Sequence, residues 1–389
     1  MARRNGGFIG TDGLDAPDPP TGVSASSGDA LVSISFTAPT DAGTSAITGF
    51  VATTDAGDGA TGSSSPITIS SLTNGTAYTT RVYAINAYGT SAASVASASF
   101  TPAAAVGLFG GIDTANNGSY LGIERIAIAS TGNSTDTADL SISRNNLGSC
   151  GSSTRGIFMG GEDNGNVIDF TTFASLGDAT DFGDLANNAS GSSAACNSTR
   201  AIIDRSSSIY YITMASEGNS SDFGGWQEDR SFATMCANDT RSVIFGGNSA
   251  EQTMDYVTIA STGNGTNFGN CSNSYSRQAN GMICSDTRGI AATGYSSNTG
   301  GTTNVIVYIT IASTGNSADF GDASAAKSGL GACSSKIRGV MAGGTSASAK
   351  LNVIEYVTIA TTGNTTDFGD LTIAESIGIS GCSNAHGGL

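Results

Sequence analysis

The chain has 389 residues, only 12% of them Asp, Glu, Lys or Arg, and Gly (54) with Ser, Thr, Ala and Asn dominates the remainder. This mixture is too apolar for a disordered chain and poor in helix formers, so an all-β architecture of short strands and tight turns is predicted, with length for two or more cores. A net charge of −16 without a clustered basic face excludes nucleic-acid binding, and no stretch approaches the ~18 apolar residues of a membrane helix.

Residues 1–16 form a Gly-rich arm with Arg3, Arg4 and one apolar pair, Phe8 and Ile9. It lacks the apolar core of a secretory signal, so no cleaved leader is expected. Two readings stand: a frayed terminus, or an anchoring peptide in which Arg3, Arg4, Phe8 and Ile9 order against a partner. All six prolines lie in the first 102 residues. The compositional shift sets one domain at 17–102, a linker at 103–105 and a second domain at 106–389.

Within 17–102 the strand-like segments run Pro19-Pro-Thr-Gly-Val23, Leu31-Val-Ser-Ile-Ser-Phe36, Ile47-Thr-Gly-Phe-Val-Ala-Thr53, Ile67-Thr-Ile-Ser-Ser-Leu72 and Arg81-Val-Tyr-Ala-Ile-Asn-Ala-Tyr-Gly89. This segment resembles a fibronectin type III domain. Leu72 followed by Tyr78 is similar to the corner where a tyrosine hydroxyl caps a turn, and Phe36 stands where the family usually has Trp. The resemblance implies a β-sandwich acting as spacer or binding module.

From residue 106 a phrase recurs six times, typified by Ile354-Glu-Tyr-Val-Thr-Ile-Ala-Thr-Thr-Gly-Asn-Thr-Thr-Asp-Phe-Gly-Asp-Leu371, with copies starting near Ile123, Ile168, Ile209, Met254 and Ile306. A period of ~40–50 residues marks a propeller or solenoid. Each unit reads as an apolar strand ending in Gly-Gly, a polar loop, the Ile-X-Tyr-X-Thr-Ile-Ala strand, a Ser-Thr-Gly-Asn turn, Asp-Phe-Gly-Asp, and a small-residue strand carrying one Cys. Four strands per unit is a propeller blade. The first unit lacks the Cys strand before it, and the chain finishes with that strand at residues 377–389. A ring of six blades closed by the C-terminal strand is therefore predicted over an open solenoid, because closure removes sheet edges.

The doublets Gly110-Gly111, Gly160-Gly161, Gly246-Gly247 and Gly343-Gly344, with the aromatics Phe170, Tyr211, Tyr256, Tyr308 and Tyr356, resemble the kelch propeller family. Departures are Asp204-Arg205 in the third unit, Thr293-Gly294 in the fifth, and a later Phe (Phe182, Phe223, Phe268, Phe320, Phe368) in place of the usual Trp. The repeat wording, and the opening Arg4-Asn-Gly-Gly, also resemble structural proteins of tailed marine bacteriophages. That likeness implies a virion setting: a non-enzymatic tail, neck or capsid fibre or decoration protein in many copies. The arm would contact other virion proteins, and the propeller would face outward for adhesion.

Few residues suggest chemistry. Cys150, Cys196, Cys236, Cys284, Cys333 and Cys382 recur once per unit, and a ring should hold them too far apart for systematic disulfides. They read as small buried residues, with Cys271 as a surface or loop thiol. No metal and no cofactor is expected. His386, the sole histidine, reads as a terminal residue without a role. The Arg series (155, 200, 241, 288, 338) and the Asp pairs (181/184, 319/322, 367/370) are expected to make one ion pair or backbone bond in every blade. The sequons at Asn117, Asn133, Asn264 and Asn364 read as chance products of Asn-rich turns. A single catalytic site should instead break the repeat. The breaks are Trp226-Gln-Glu-Asp-Arg230, Tyr275-Ser-Arg277 and the stretches 112–120 and 295–304. Trp226, Tyr120 and Tyr295 are candidates for stacking on a host-surface glycan, although Trp226 could equally fill a core slot. A receptor-binding protein is the alternative function; a glycan-cleaving propeller is a weaker one.

Overall fold

The computed structural model describes residues 14–113, 118–162, 164–247, 252–271, 282–296, 300–347, 349–375 and 378–385. Arg3, Arg4, Phe8, Ile9, Tyr275, Arg277 and His386 lie outside these. The chain divides into two compact units, Met1–Ala104 and Ala105–Leu389.

The first unit packs a sheet ordered β1 (Thr21–Gly28), β2 (Leu31–Thr37), β5 (Ile67–Ser70) on one ordered β4 (Gly59–Gly62), β3 (Ile47–Thr54), β6 (Thr80–Asn86), β7 (Gly89–Thr90). Alternation along β2 and β6 sends Val32, Ile34, Phe36, Val82 and Ala84 inward, where they meet Phe50, Ile69 and Leu72. Tyr78 sits at the corner, its hydroxyl accepting the Thr73 N–H at 3.1 Å. Beyond β7 the chain runs along β6 without ladder pairing. Three buried serines, Ser91, Ser94 and Ser97, accept the N–H groups of Ala84, Val82 and Thr80 at 2.9, 2.9 and 3.1 Å. Hydroxyls here take the place of strand carbonyls.

The second unit holds six four-stranded antiparallel sheets, none closed into a barrel. Sheet 1 is β8 (Val106–Ile112), β9 (Gly122–Ala127) and β10 (Thr135–Asp139), completed on its inner edge by β31 (Ser380–Ser383). Sheet 2 is β11 (Gly148–Gly151), β12 (Arg155–Met159), β13 (Val167–Thr172) and β14 (Thr180–Asp184). Sheet 3 is β15 (Ala194–Cys196), β16 (Arg200–Arg205), β17 (Ser208–Thr213) and β18 (Ser221–Gly225). Sheet 4 is β19 (Thr234–Ala237), β20 (Arg241–Phe245), β21 (Thr253–Thr258) and β22 (Thr266–Asn270). Sheet 5 is β23 (Met282–Cys284), β24 (Arg288–Ser296), β25 (Gly301–Thr310) and β26 (Ala318–Asp322). Sheet 6 is β27 (Gly331–Ser334), β28 (Arg338–Ala342), β29 (Leu351–Thr358) and β30 (Thr366–Glu375). The stretch 295–304, read from sequence as a loop, is largely β24 and β25, because its Thr-rich residues extend the hairpin.

The inner strands β31, β11, β15, β19, β23 and β27 neighbour one another in that order, and β27 neighbours β31. One apolar core lies between each pair of adjacent sheets. Ile157 and Ile168 of sheet 2, for example, meet Cys196, Ile203 and Tyr210 of sheet 3. The core between sheets 6 and 1 joins Val340, Ile354 and Phe368 to Phe109, Ile112, Ile126 and Ile379. Each sheet is thus buried on both faces, which is why the third strands lack strict polar alternation. A side chain such as Ile354, with no exposed surface, contributes about 1.5–3 kcal/mol.

Candidate functional site

The repeated residues are committed to the junctions between sheets. In sheets 2 to 6 the Arg at the head of the second strand lies over its own aromatic: Arg155 on Phe170, Arg200 on Tyr211, Arg241 on Tyr256, Arg288 on Tyr308 and Arg338 on Tyr356, at 4.3–4.8 Å from the ring centroid. The guanidinium then donates to carbonyls at the end of the next sheet's third strand. Arg200 reaches Ile259 and Ala260, both at 3.1 Å, and Arg338 of sheet 6 reaches Ile128 at 3.0 Å and Ala129 at 2.8 Å in sheet 1. One of the five, Arg155, also pairs with a carboxylate, Glu217 at 3.2 Å. The Arg series is therefore a set of clamps.

The Asn of each Ser-Thr-Gly-Asn turn performs a second junction task. Its Oδ1 accepts the N–H two residues beyond the repeat Phe of the preceding sheet: Asn219 from Asp184, Asn264 from Gly225, Asn316 from Asn270, Asn364 from Asp322 and Asn133 from Asp370, each at 3.0 Å. At the first junction Asp178 accepts from Asp139 at 3.1 Å. The sequon asparagines 133, 264 and 364 are thus present for their side-chain carbonyl. The Gly of Asp-Phe-Gly has φ of 147–152° in sheets 2 to 6. A Cβ on Gly369 would lie 2.5 Å from the Gly132 carbonyl. Only Gly permits that approach.

The cysteines complete the pattern. A Cβ at Gly107 would meet Cys333 Sγ at 2.5 Å, one at Gly156 would meet Cys382 Sγ at 3.0 Å, and one at Gly289 would meet Cys236 Sγ at 2.4 Å. A small thiol packed on a bare backbone of the next sheet explains the Cys and the Gly together. None of the seven cysteines is in a disulfide. One expectation needs correction in part. Cys271 lies just past β22, outside any strand, but is 3% exposed and enclosed by Met254, Phe268 and Val307, so it is a loop thiol and no surface one. On the crowded inner strands neighbouring thiols still influence one another, Cys150 with Cys196 and Cys236 with Cys284, without forming disulfides. Hydrogen bonding with Cys196, followed by burial, raises the Cys150 pKa, while burial raises that of Cys333.

Four buried carboxylates lie on the third strands, and sequence reading passed over them. Asp169 binds Arg144 at 2.9 Å and Ser141 Oγ at 2.7 Å. Asp255 binds Arg230 at 2.9 Å. Glu355 binds Lys327, Ser324 N at 2.9 Å and Thr365 Oγ1 at 2.7 Å. Glu124 accepts from Ser134, Thr372 Oγ1 and, at 3.1 Å, Thr372 N. Each partner group comes largely from the segment leaving the preceding sheet. Burial opposes ionisation of Glu355, but Lys327 and the hydroxyl and amide donors outweigh it and hold its pKa down at about 2.

The third sheet departs from this scheme. Asp204 stands where the other units place Gly110, Met159, Phe245, Ala292 and Ala342, and it faces sheet 4 with no exposed surface. Neither of its oxygens makes a hydrogen bond of normal geometry, although Trp226 and Arg230 are near enough to favour its charged form. Burial raises its pKa well above the ordinary value, and Arg230 only partly offsets this.

Of the three aromatic candidates, Trp226 is 6% exposed and packs with Ile209, Phe223 and Val257, so it offers no ring face to a sugar. Tyr120 and Tyr295 are half-buried, in separate units of the repeat. The structure does not bring the three together. Among the described residues, no group of three or more His, Cys, Asp or Glu is disposed to hold a metal.

A concave polar region does exist beside Asp204, lined by Glu162, Asn188, Ser190, Ser192, Arg205 and Ser231. The sequence signal for it was the loss of the Gly doublet at Asp204-Arg205.

The architecture defines an all-β chain with a two-sheet N-terminal unit followed by an array of four-stranded sheets. Residues 18–100 match the family model of the fibronectin type III domain, so the N-terminal unit is a fibronectin type III domain. Among solved structures, domains A168–A170 of titin are 29% identical over 23% of this chain, with a TM-score of 0.22. The match spans 33% of that titin fragment. No curated protein matches the chain.

Proposed function

We propose that the second unit is a six-bladed, kelch-like β-propeller closed by its C-terminal strand, and that the protein is a non-enzymatic structural component of a bacteriophage particle. The observation carrying the propeller reading is the identity of the seam. Sheet 6 meets sheet 1 through the same Arg clamp, Asn acceptor and Gly contact used at the four junctions from sheet 2 to sheet 6. The particle reading is supported by the modular order of arm, fibronectin spacer and repeat array. It is also supported by the repeat's polar residues, which are spent on holding sheets together. Such a protein works by multivalent display, where many weak contacts sum to avidity.

Mass spectrometry of purified virions, with a density map locating the chain and the contacts of residues 1–16, tests this. Absence from purified particles refutes it.

A further inference from the structure

The break at Asp204-Arg205 carries an inference beyond that reading. Ser206 and Ser207 alone join β16 to β17, whereas seven residues separate β12 from β13 and β20 from β21. Ser206 adopts φ of 59°, as a two-residue hairpin requires, and its hydroxyl bonds Asp229. Beside this short hairpin lie two cavities, of about 160 and 330 Å3, that share Asn188 and Ser190.

Arg205 lines the smaller one. Its Nε donates to the Asn188 carbonyl at 2.8 Å, and its terminal nitrogens have no partner among the described residues. Ser190, Ser192, Ser206 and Ser231 supply hydroxyls, and Glu162 lines the larger cavity. The walls are fixed by backbone bonds: Gly161 N to Ala189 O and Ala189 N to Gly165 O at 2.8 Å, and Arg230 N to Ser206 O at 3.2 Å. A free, oriented guanidinium is a planar fork suited to a carboxylate. Hydroxyl and amide walls suit a polyhydroxylated ring, and a carboxylate such as Glu162 accepts from sugar hydroxyls. One cation flanked by Glu162 and Asp229, on a chain of net charge −16, disfavours densely charged polymers such as nucleic acid.

We propose that this hollow binds an acidic oligosaccharide, with a uronate carboxylate on the Arg205 fork and neighbouring sugar hydroxyls on Glu162, Asn188 and the serines. The site is preformed, so little ordering opposes binding.

Isothermal titration of the full chain with a hyaluronan tetrasaccharide, whose uronate and neutral sugars alternate, tests this in solution, separately from any assignment to particles. The expected result is saturable binding, with chitotetraose giving none. Arg205→Gln should weaken binding by about tenfold or more. Ser231→Tyr, which fills the hollow while keeping Arg205, should abolish it, with the melting temperature of both variants unchanged. No heat from the wild-type chain overturns the proposal. So does equal affinity for the neutral sugar, or undiminished binding by both folded variants.

Discussion

Gly369→Ala tests the seam between the last and first sheets. At φ of 152° the added methyl lies 2.5 Å from the Gly132 carbonyl. The backbone strain costs about 1–3 kcal/mol. Relieving the clash pulls Gly132 away, sacrificing its 2.7 Å bond to Phe368 O and the 3.0 Å bond from Asp370 N to Asn133, each worth about 1 kcal/mol. The sum is about 3–5 kcal/mol, or a melting temperature lower by roughly 10 °C for a domain of this size. Gly224→Ala places a methyl 2.3 Å from the Gly263 carbonyl at an internal junction and serves as the reference. Circular dichroism melts of the two variants should show comparable losses. If Gly369→Ala melts like the wild type while Gly224→Ala does not, the array is open in solution and the seam argument is wrong.

Replacing Asp204 with Ala, the residue of the fifth and sixth units, should stabilise the protein at neutral pH by about 1–3 kcal/mol, by removing a buried acceptor without a partner. Its raised pKa means that its contribution is retained below the ordinary value of 3.8 and lost as pH rises through the folded value. The gap in melting temperature between variant and wild type should therefore widen from pH 4 to pH 7; a gap independent of pH refutes the assignment. Glu355 has the opposite sign. Held at about 2 against an ordinary 4.5, it contributes stability above pH 4.5 that drains away as pH falls toward 2, no more than about 3 kcal/mol in all. Urea midpoints across that window should fall in the wild type and stay flatter in Glu355→Gln, which would itself be less stable at pH 7. In the fibronectin domain, Ser94→Ala strips the buried Val82 N–H of its 2.9 Å acceptor and should cost about 1–3 kcal/mol. Val95→Ala, at a side chain 86% exposed, should leave the melt unchanged.

The strands were legible because period and turn chemistry are local. Leu72 and Tyr78 marked the sandwich corner, and the recurring Tyr and Phe marked third and fourth strands. The junction partners were not legible, since they lie far off in sequence: Arg338 bonds Ile128, and Asp370 bonds Asn133. Once-per-unit Arg suggested one bond repeated in every unit, but that this bond crosses to the next sheet was not legible. Glu124, Asp169, Asp255 and Glu355 escaped notice because segments that differ from unit to unit supply their partners, Arg144, Arg230 and Lys327 among them. Trp226 shows the ambiguity of a lone aromatic, for its slot is decided by Gly265, which leaves room against the ring. Arg205 was visible only as a departure from the Gly doublet; that it lines a hollow depended on the brevity of the following hairpin.

The strand that finishes the first sheet is translated only after every other strand of the six sheets. Until Ser380–Ser383 emerges, β8 keeps an open row of unpaired amides and carbonyls. A nascent product cut short would carry that adhesive border permanently, a surface on which other chains can condense. Termination before Ser380 should thus yield sticky fragments, and protection from self-association would arrive only once that strand is made.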